Sequence, residues 1–263
     1  MYTRIKTDDE INSMRRSGRI LAEVHNILKQ AVKPGITTKD LANIAAKEIK
    51  SKGGEPAFLN YGAPIPFPDV ICISVNDEVV HGIPSIDKVL KDGDLVSLDL
   101  GVAVNGMITD AAITVICGQA DPKLEDFVVR TKKSLYAGLK VLKHGCQVGD
   151  VSYAIQKSLE KHGYGIVRDL VGHGVGHEVH EDPNIPNFGK KGTGPRLVAG
   201  MTLAIEPMST LGNYAVHGDS DGWTIKTNDG SKAAHFEHTI LVTQNGCEIL
   251  TQADSQQDSK TSY

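Results

Sequence analysis

The chain predicts an α+β fold made from a duplicated unit, with a curved antiparallel sheet covered on one face by two pairs of helices. Three observations carry this expectation. Leu95 to Ile116 holds two apolar runs meeting at Asn105-Gly106, the strongest short-range signal for a tight hairpin turn. Helix signatures come in two pairs, each followed by strand-like segments. Adding 110 to Leu41, Ile44, Ala45 and Ile49 gives Val151, Ala154, Ile155 and Leu159, and the same step takes Gly35 to Gly145, Asp40 to Asp150, Lys47 to Lys157 and Gly53 to Gly163. Amphipathic helices resemble one another, but glycines and an aspartate in the same phase point to duplication.

In chain order, Thr7-x-x-Glu10 is a capping box, and Met14, Leu21, Val24, Leu28 and Ala31 follow at helical spacing until Lys33-Pro34-Gly35 stops them. A second helix is expected from Thr37 to Lys52, closed by Gly53-Gly54. Asp121-Pro122 reads as a cap with proline in the first turn, opening a third helix to about Leu142. A fourth runs from Asp150 to His162 with Gly163 after it.

Placing Asn105-Gly106 at the turn sets Asp110 opposite Gly101 and Asp99 opposite Ala112. Asp99 and Asp110 are then diagonal neighbours on one face, roughly 7–8 Å apart at their base. Small residues (Gly101, Ala103, Ala112) surround them, while the other face is apolar from Val96 to Val115, apart from Thr109. Two carboxylates this close either face water or share a cation.

Gly172 to Pro183 (GHGVGHEVHEDP) carries three histidines among glycines that argue against a helix, so His173 and His177 are not a helical ligand pair. HEVHE is one residue too short for the zincin motif. Glycine on both sides of His173 suggests a backbone that something approaches closely. Met201 to Met208 reads as a strand ending in Glu206-Pro207, and Ala234 to Val242 as a strand bearing Glu237. Thr251 to Tyr263 is polar and aperiodic, giving one domain over 1–250 and a tail over 251–263 expected to be disordered.

Composition excludes several classes. A 263-residue chain with 40% apolar and 23% charged residues has an ordinary globular composition, and a net charge of −4 leaves no footprint for nucleic acid or anionic membrane. Four scattered cysteines, without a CxxC pair, read as free thiols in a reducing compartment. The absence of an apolar N-terminal region points to the cytoplasm.

Asp99, Asp110, His173, Glu206 and Glu237 are four carboxylates and one imidazole. Crowded acids of this kind call for divalent cations, and an oxygen-rich donor set without sulfur suits Mn(II), Fe(II), Co(II) or Zn(II). Two ions about 3.5–4 Å apart can activate water and polarise a carbonyl, the arrangement of metal-assisted hydrolysis. A single zinc held by His173, His177 and His180 is the alternative donor set.

The stretches CISVNDEVVHGIP (72–84), LDLGVAVNGMITDAAIT (98–114), VGHGVGHEVHEDP (171–183), MTLAIEP (201–207), DGWTIKT (221–227) and FEHTILVT (236–243) together resemble the type I methionine aminopeptidases, of the pita-bread metallopeptidase fold. The resemblance implies that Asp99, Asp110, His173, Glu206 and Glu237 hold two metal ions. By the same match His81 lies by the scissile peptide, His180 binds the substrate carbonyl, and Glu206 also shuttles a proton. Trp223 matches a methionine-pocket residue, with Phe67, Tyr61 and Cys72 as further candidate walls. Val179 stands where an aromatic is expected, and His177 also departs from the common pattern. The implied partner is the N-terminal methionine of nascent polypeptides with a small second residue, met at the ribosome. A monomer is implied, with neither nucleic acid nor membrane as partner. Only 25 residues separate His180 from Glu206, too few for the type II insertion, and a form without the zinc-binding extension of eukaryotic type I enzymes is expected. Competing readings are a prolidase or aminopeptidase P of the same fold, and a pita-bread binding protein that has lost catalysis.

Overall fold

A computed structural model describes residues 5–119 and 121–252. Four helices carry the duplicated pattern: α1 (Asp8–Ala31), α2 (Thr38–Ser51), α3 (Pro122–Leu139) and α4 (Val148–Glu160). The capping box of α1 forms as expected: Thr7 N–H donates to Glu10 Oε2 at 2.7 Å and Glu10 N–H to Thr7 Oγ1 at 3.4 Å. Helix α3 ends at Leu139, short of the expected Leu142, and α4 begins at Val148 rather than Asp150. Asp150 sits inside the first turn of α4, where its carboxylate accepts the Gln147 N–H at 2.9 Å. Asp40 does the same for Thr37 in α2 at 3.1 Å. Gly35 and Gly145 take φ of 90° and 86°, and Gly53 and Gly163 take 76° and 74°, so the glycines preserved by the repeat are those that need the left-handed region.

The described strands form four hydrogen-bonded sheets rather than one continuous ladder. The longest described strands form the hairpin of Leu95–Val104 and Met107–Ile116, in the predicted register, with Gly101 opposite Asp110 and Asp99 opposite Ala112. Its turn residues Asn105 and Gly106 both have positive φ, as a type I′ turn requires. A five-stranded sheet orders Cys247–Ile249, His238–Val242, Thr202–Ile205, Val171–Gly174 and Glu181–Pro186. A small sheet of Gly165–Ile166, Met208–Thr210 and Ala233–His235 continues beyond it.

The curved surface is nevertheless stitched across its middle. Asp110 N–H donates to Thr239 Oγ1 (2.8 Å), Glu237 N–H to Ala112 O (2.9 Å) and His235 N–H to Thr114 Oγ1 (2.8 Å). These pairs run antiparallel and join the two halves. Behind the hairpin, Leu21, Val24, Leu28, Leu41 and Ile49 pack with Leu98, Leu100 and Val102. Behind the other half, Leu135, Val151, Ile155 and Leu159 pack with Leu203, Ile205 and Ile240. Each such side chain contributes about 1.5–3 kcal/mol by leaving water.

The packed region reaches past residue 250. Thr251 is buried, and its hydroxyl accepts the Thr239 N–H at 3.2 Å. Helix α1 makes room for this segment at Gly18, where any side chain would collide with the Leu250 carbonyl. Residues 253–263 of the expected tail lie outside the described residues.

Candidate active site

The five predicted ligands reach one cavity of about 270 Å³. Asp99 and Asp110 arrive from the hairpin face opposite the core, at 8% and 4% exposure, so they are not a solvated surface pair. Glu206 and Glu237 arrive differently from the prediction. Neither lies within a strand: Glu206-Pro207 separates Thr202–Ile205 from Met208–Thr210, and Phe236-Glu237 separates Ala233–His235 from His238–Val242. Pro207 has no N–H for the ladder, so the chain leaves one sheet there and enters the next. The two breaks face each other, because Ile205 pairs with His238 and Met208 with His235. Asn187 Nδ2 donates to Glu206 O at 3.0 Å and fixes that break.

His173 completes the set. Its Nδ1–H donates to the Gly174 carbonyl at 2.9 Å, leaving the Nε2 lone pair free, 3.3 Å from Glu206 Oε1. Burial holds its pKa down at about 3, so the ring is neutral and able to ligate. What approaches its flanking glycines is the protein itself. A side chain at Gly172 would meet Ala204 O at 2.5 Å, and one at Gly174 would collide with Asp182 O. These glycines let neighbouring strands close around the histidine.

Burial pushes all four carboxyls up. Asp110 rises to about 7 through burial, against hydrogen bonds from Ala111 and Asp99 that pull it down; Asp99, Glu206 and Glu237 go well above the usual range, with neighbouring carboxylates adding to burial. Asp99 Oδ1, Asp110 Oδ1 and Glu237 Oε1 are buried without a hydrogen-bond partner among the described residues. One ligating atom each from Asp110, His173 and Glu237 lies within 4.8 Å of the others. Orphaned acceptors and a lone pair turned to the same space fit divalent cations, which supply the missing positive charge.

The remaining predicted residues also line this cavity. His81 is half-buried with a left-handed backbone (φ 60°), a conformation costly for a non-glycine residue and concentrated at functional sites. Burial keeps its pKa near 4. The Tyr61 hydroxyl lies 2.6 Å from His180 Nδ1. The His180 ring stands 4.3 Å from that of His173, centroid to centroid. Trp223 presents its ring edge-on to Phe67 (5.3 Å) and to His81 (6.0 Å), and its Nε1–H donates to Ile65 O at 3.1 Å. Cys72 pairs with Asp99 across the sheet, and burial pushes its thiol well up, so it serves as an apolar wall.

His177 is the histidine that stays outside. Its Nε2 bonds Glu10 Oε1 at 2.7 Å and its backbone N–H donates to Glu181 Oε1 at 2.8 Å, so the three-histidine zinc set is not assembled. Sequence reasoning missed Phe58, which packs with Phe67, Cys72 and Val179 and takes the space left by Gly101. It also missed His235, in the cavity wall two residues before Glu237. Alternation along Ala234 to Val242 carried the signal, since His235 and Glu237 share a face of an extended chain.

With this geometry in place, comparison with known proteins places the chain. Residues 12–244 match the model of metallopeptidase family M24. The chain belongs to that family. Among M24 relatives, it is 47% identical over 247 residues to a methionine aminopeptidase from Clostridium acetobutylicum, covering 94% of this chain and 98% of the relative. The crystal structure of a methionine aminopeptidase from Thermotoga maritima superposes with a TM-score of 0.92 at 46% identity, over 95% of this chain and 99% of that one. A prolidase from Pyrococcus furiosus shares the fold alone, at 23% identity, a TM-score of 0.75 and 66% of its length. The family carries the pita-bread fold, and among the described residues no helix is long and apolar enough to cross a membrane.

Proposed function

We propose that this M24 peptidase removes the N-terminal methionine from nascent polypeptides whose second residue is small, using two divalent ions held by Asp99, Asp110, His173, Glu206 and Glu237. The observation that carries the reading is the set of orphaned, buried carboxylate oxygens opening onto the same cavity as Phe67, Cys72 and Trp223. An apolar pocket lined in this way suits an unbranched thioether, and the acids beside it support cleavage at the first peptide bond. Mn(II), Fe(II), Co(II) and Zn(II) suit the donor set, and when bound they supply Lewis acidity and a nucleophile at neutral pH.

The chain's own residues do the rest. Glu206, whose pKa burial raises, takes a proton from the attacking water and returns it to the departing amine. With the Tyr61 hydroxyl donating to Nδ1 of His180, Nε2 carries the proton and donates to the substrate carbonyl as negative charge develops there. His81, neutral and held by its backbone conformation, contacts the leaving peptide. Tyr61, Phe67, Cys72 and Trp223 wall the methionine side chain. The enzyme works as a monomer in the cytoplasm, meeting its substrates at the ribosome. The test is hydrolysis of Met-Ala-Ser and of an X-Pro peptide in the presence of each candidate metal. Methionine release from Met-Ala-Ser is expected; cleavage of the X-Pro peptide alone assigns the chain to prolidase chemistry instead.

A further inference from the structure

His235 has no part in the chemistry above, yet its ring is 2% exposed and neither ring nitrogen has a hydrogen-bond partner among the described residues. A buried N–H left unpaired is costly, so such a group points to a partner gained when the site is loaded. Nε2 lies 3.5 Å from Glu206 Oε2 and 3.9 Å from Glu237 Oε2. Glu206 thus has an imidazole beside each oxygen, because Oε1 lies 3.3 Å from His173 Nε2. The two cases differ. His173 turns its N–H to Gly174 and offers a lone pair, so the space it shares with Oε1 suits a cation. Oε2 is the oxygen left for a donor.

The backbone shows that this ring is held as firmly as a ligand. His235 N–H donates to Thr114 Oγ1 at 2.8 Å, and the Thr114 hydroxyl donates to His235 O at 2.7 Å. Asp110 is clamped in the same way by Thr239, at 2.8 and 2.7 Å. The step along the chain from Thr114 to Thr239 also leads from Asp110 to His235. His235 is therefore the counterpart, in the second half, of a predicted ligand in the first.

We propose that His235 is a positioning residue for Glu206, its Nε2–H donating to Oε2 and holding the carboxylate with Oε1 turned toward His173. Such bonds are long in an unloaded site and tighten on loading. The proposal rests on the reading of Glu206 as ligand and proton carrier. The full chain is compared with His235→Ala, His235→Leu and His235→Gln. Steady-state cleavage of Met-Ala-Ser is measured with Mn(II), and Mn(II) affinity of the metal-free protein by calorimetry. Leucine fills the ring's space without a donor; glutamine keeps an N–H.

The Ala and Leu variants should lose about 10–100-fold in kcat and in Mn(II) affinity. KM should stay within about twofold, and Gln should recover most of both losses. Wild-type kcat and affinity in a folded Ala or Leu variant overturns the proposal. So does a change confined to KM or to the second residue accepted, or a Gln variant as impaired as Leu. A wild-type chain inactive on Met-Ala-Ser defeats the functional reading instead, and the calorimetric comparison still tests the hold on Glu206.

Discussion

The two halves of the molecule agree closely in their helices and part company in their strands. Over 41–50 and 151–160 the order of buried, half-buried and exposed positions is the same throughout. Both helices carry an aspartate on the cap N–H and end before a left-handed glycine. The strands differ: the first half presents an unbroken hairpin with ten residues in each arm, whereas the second breaks at Glu206-Pro207 and Phe236-Glu237. A covering helix needs only an apolar stripe, which duplication preserves without effort. The site needs ligands at particular distances, and the broken strands of one half bring two glutamates to the two aspartates of the other.

The sharpest way to break this comparison is to remove one proposed ligand from each half. Asp110→Ala and Glu237→Ala should each lower turnover on the order of 10³-fold or more, as when a group acting as a unit loses a member. The metal-free melting midpoint should be retained, because each substitution relieves a buried like-charge cluster. Substantial activity in either variant means that one half alone carries the chemistry.

A smaller effect tests the equivalence of the helices. Ile49→Ala and Leu159→Ala occupy corresponding, fully buried positions and should each cost about 2–5 kcal/mol in urea unfolding. A large cost at one and none at the other would show that the repeat is only superficial.

The smallest effect is one of pH. In the metal-free chain Asp110 keeps its proton up to about pH 7, against about 3.9 for an unfolded aspartate. A carboxyl whose pKa is raised by folding favours the folded state below the unfolded value. That contribution is lost as pH rises through the folded one. The metal-free wild type should therefore melt near Asp110→Asn at pH 4 and fall below it by pH 7, with added Mn(II) closing the gap. Parallel melting profiles for the two proteins sink the idea.

The hairpin was legible residue by residue, because Asn-Gly dictates the turn and the turn dictates which side chains share a face. The start of α4 was misread at Asp150, since Gln147 is not a usual cap residue and the aspartate reaches back to it. The break at Glu206 had a visible cause in Pro207. The break at Phe236-Glu237 had none, because it follows from pairing with the opposite break and from the Ala112 carbonyl that accepts Glu237 N–H. Periodicity likewise could not tell His177 from His180. Glu10 draws one away, and Tyr61 holds the other in the cavity wall.

Local chemistry alone therefore determined the helix pairs, the hairpin register and the face shared by Asp99 and Asp110, whereas His173, Glu206 and Glu237 joined them as candidate ligands only through the resemblance of whole motifs. Those features depend on turn preference and on side-chain period, both written within a few residues. Tertiary structure decided where the sheets part, which histidine is diverted, and which carboxylate oxygens are left bare. Those outcomes depend on partners distant along the chain, Ile205 with His238 at the break and Glu10 with His177 at the diverted histidine, whose approach buries the acids and raises their proton affinity.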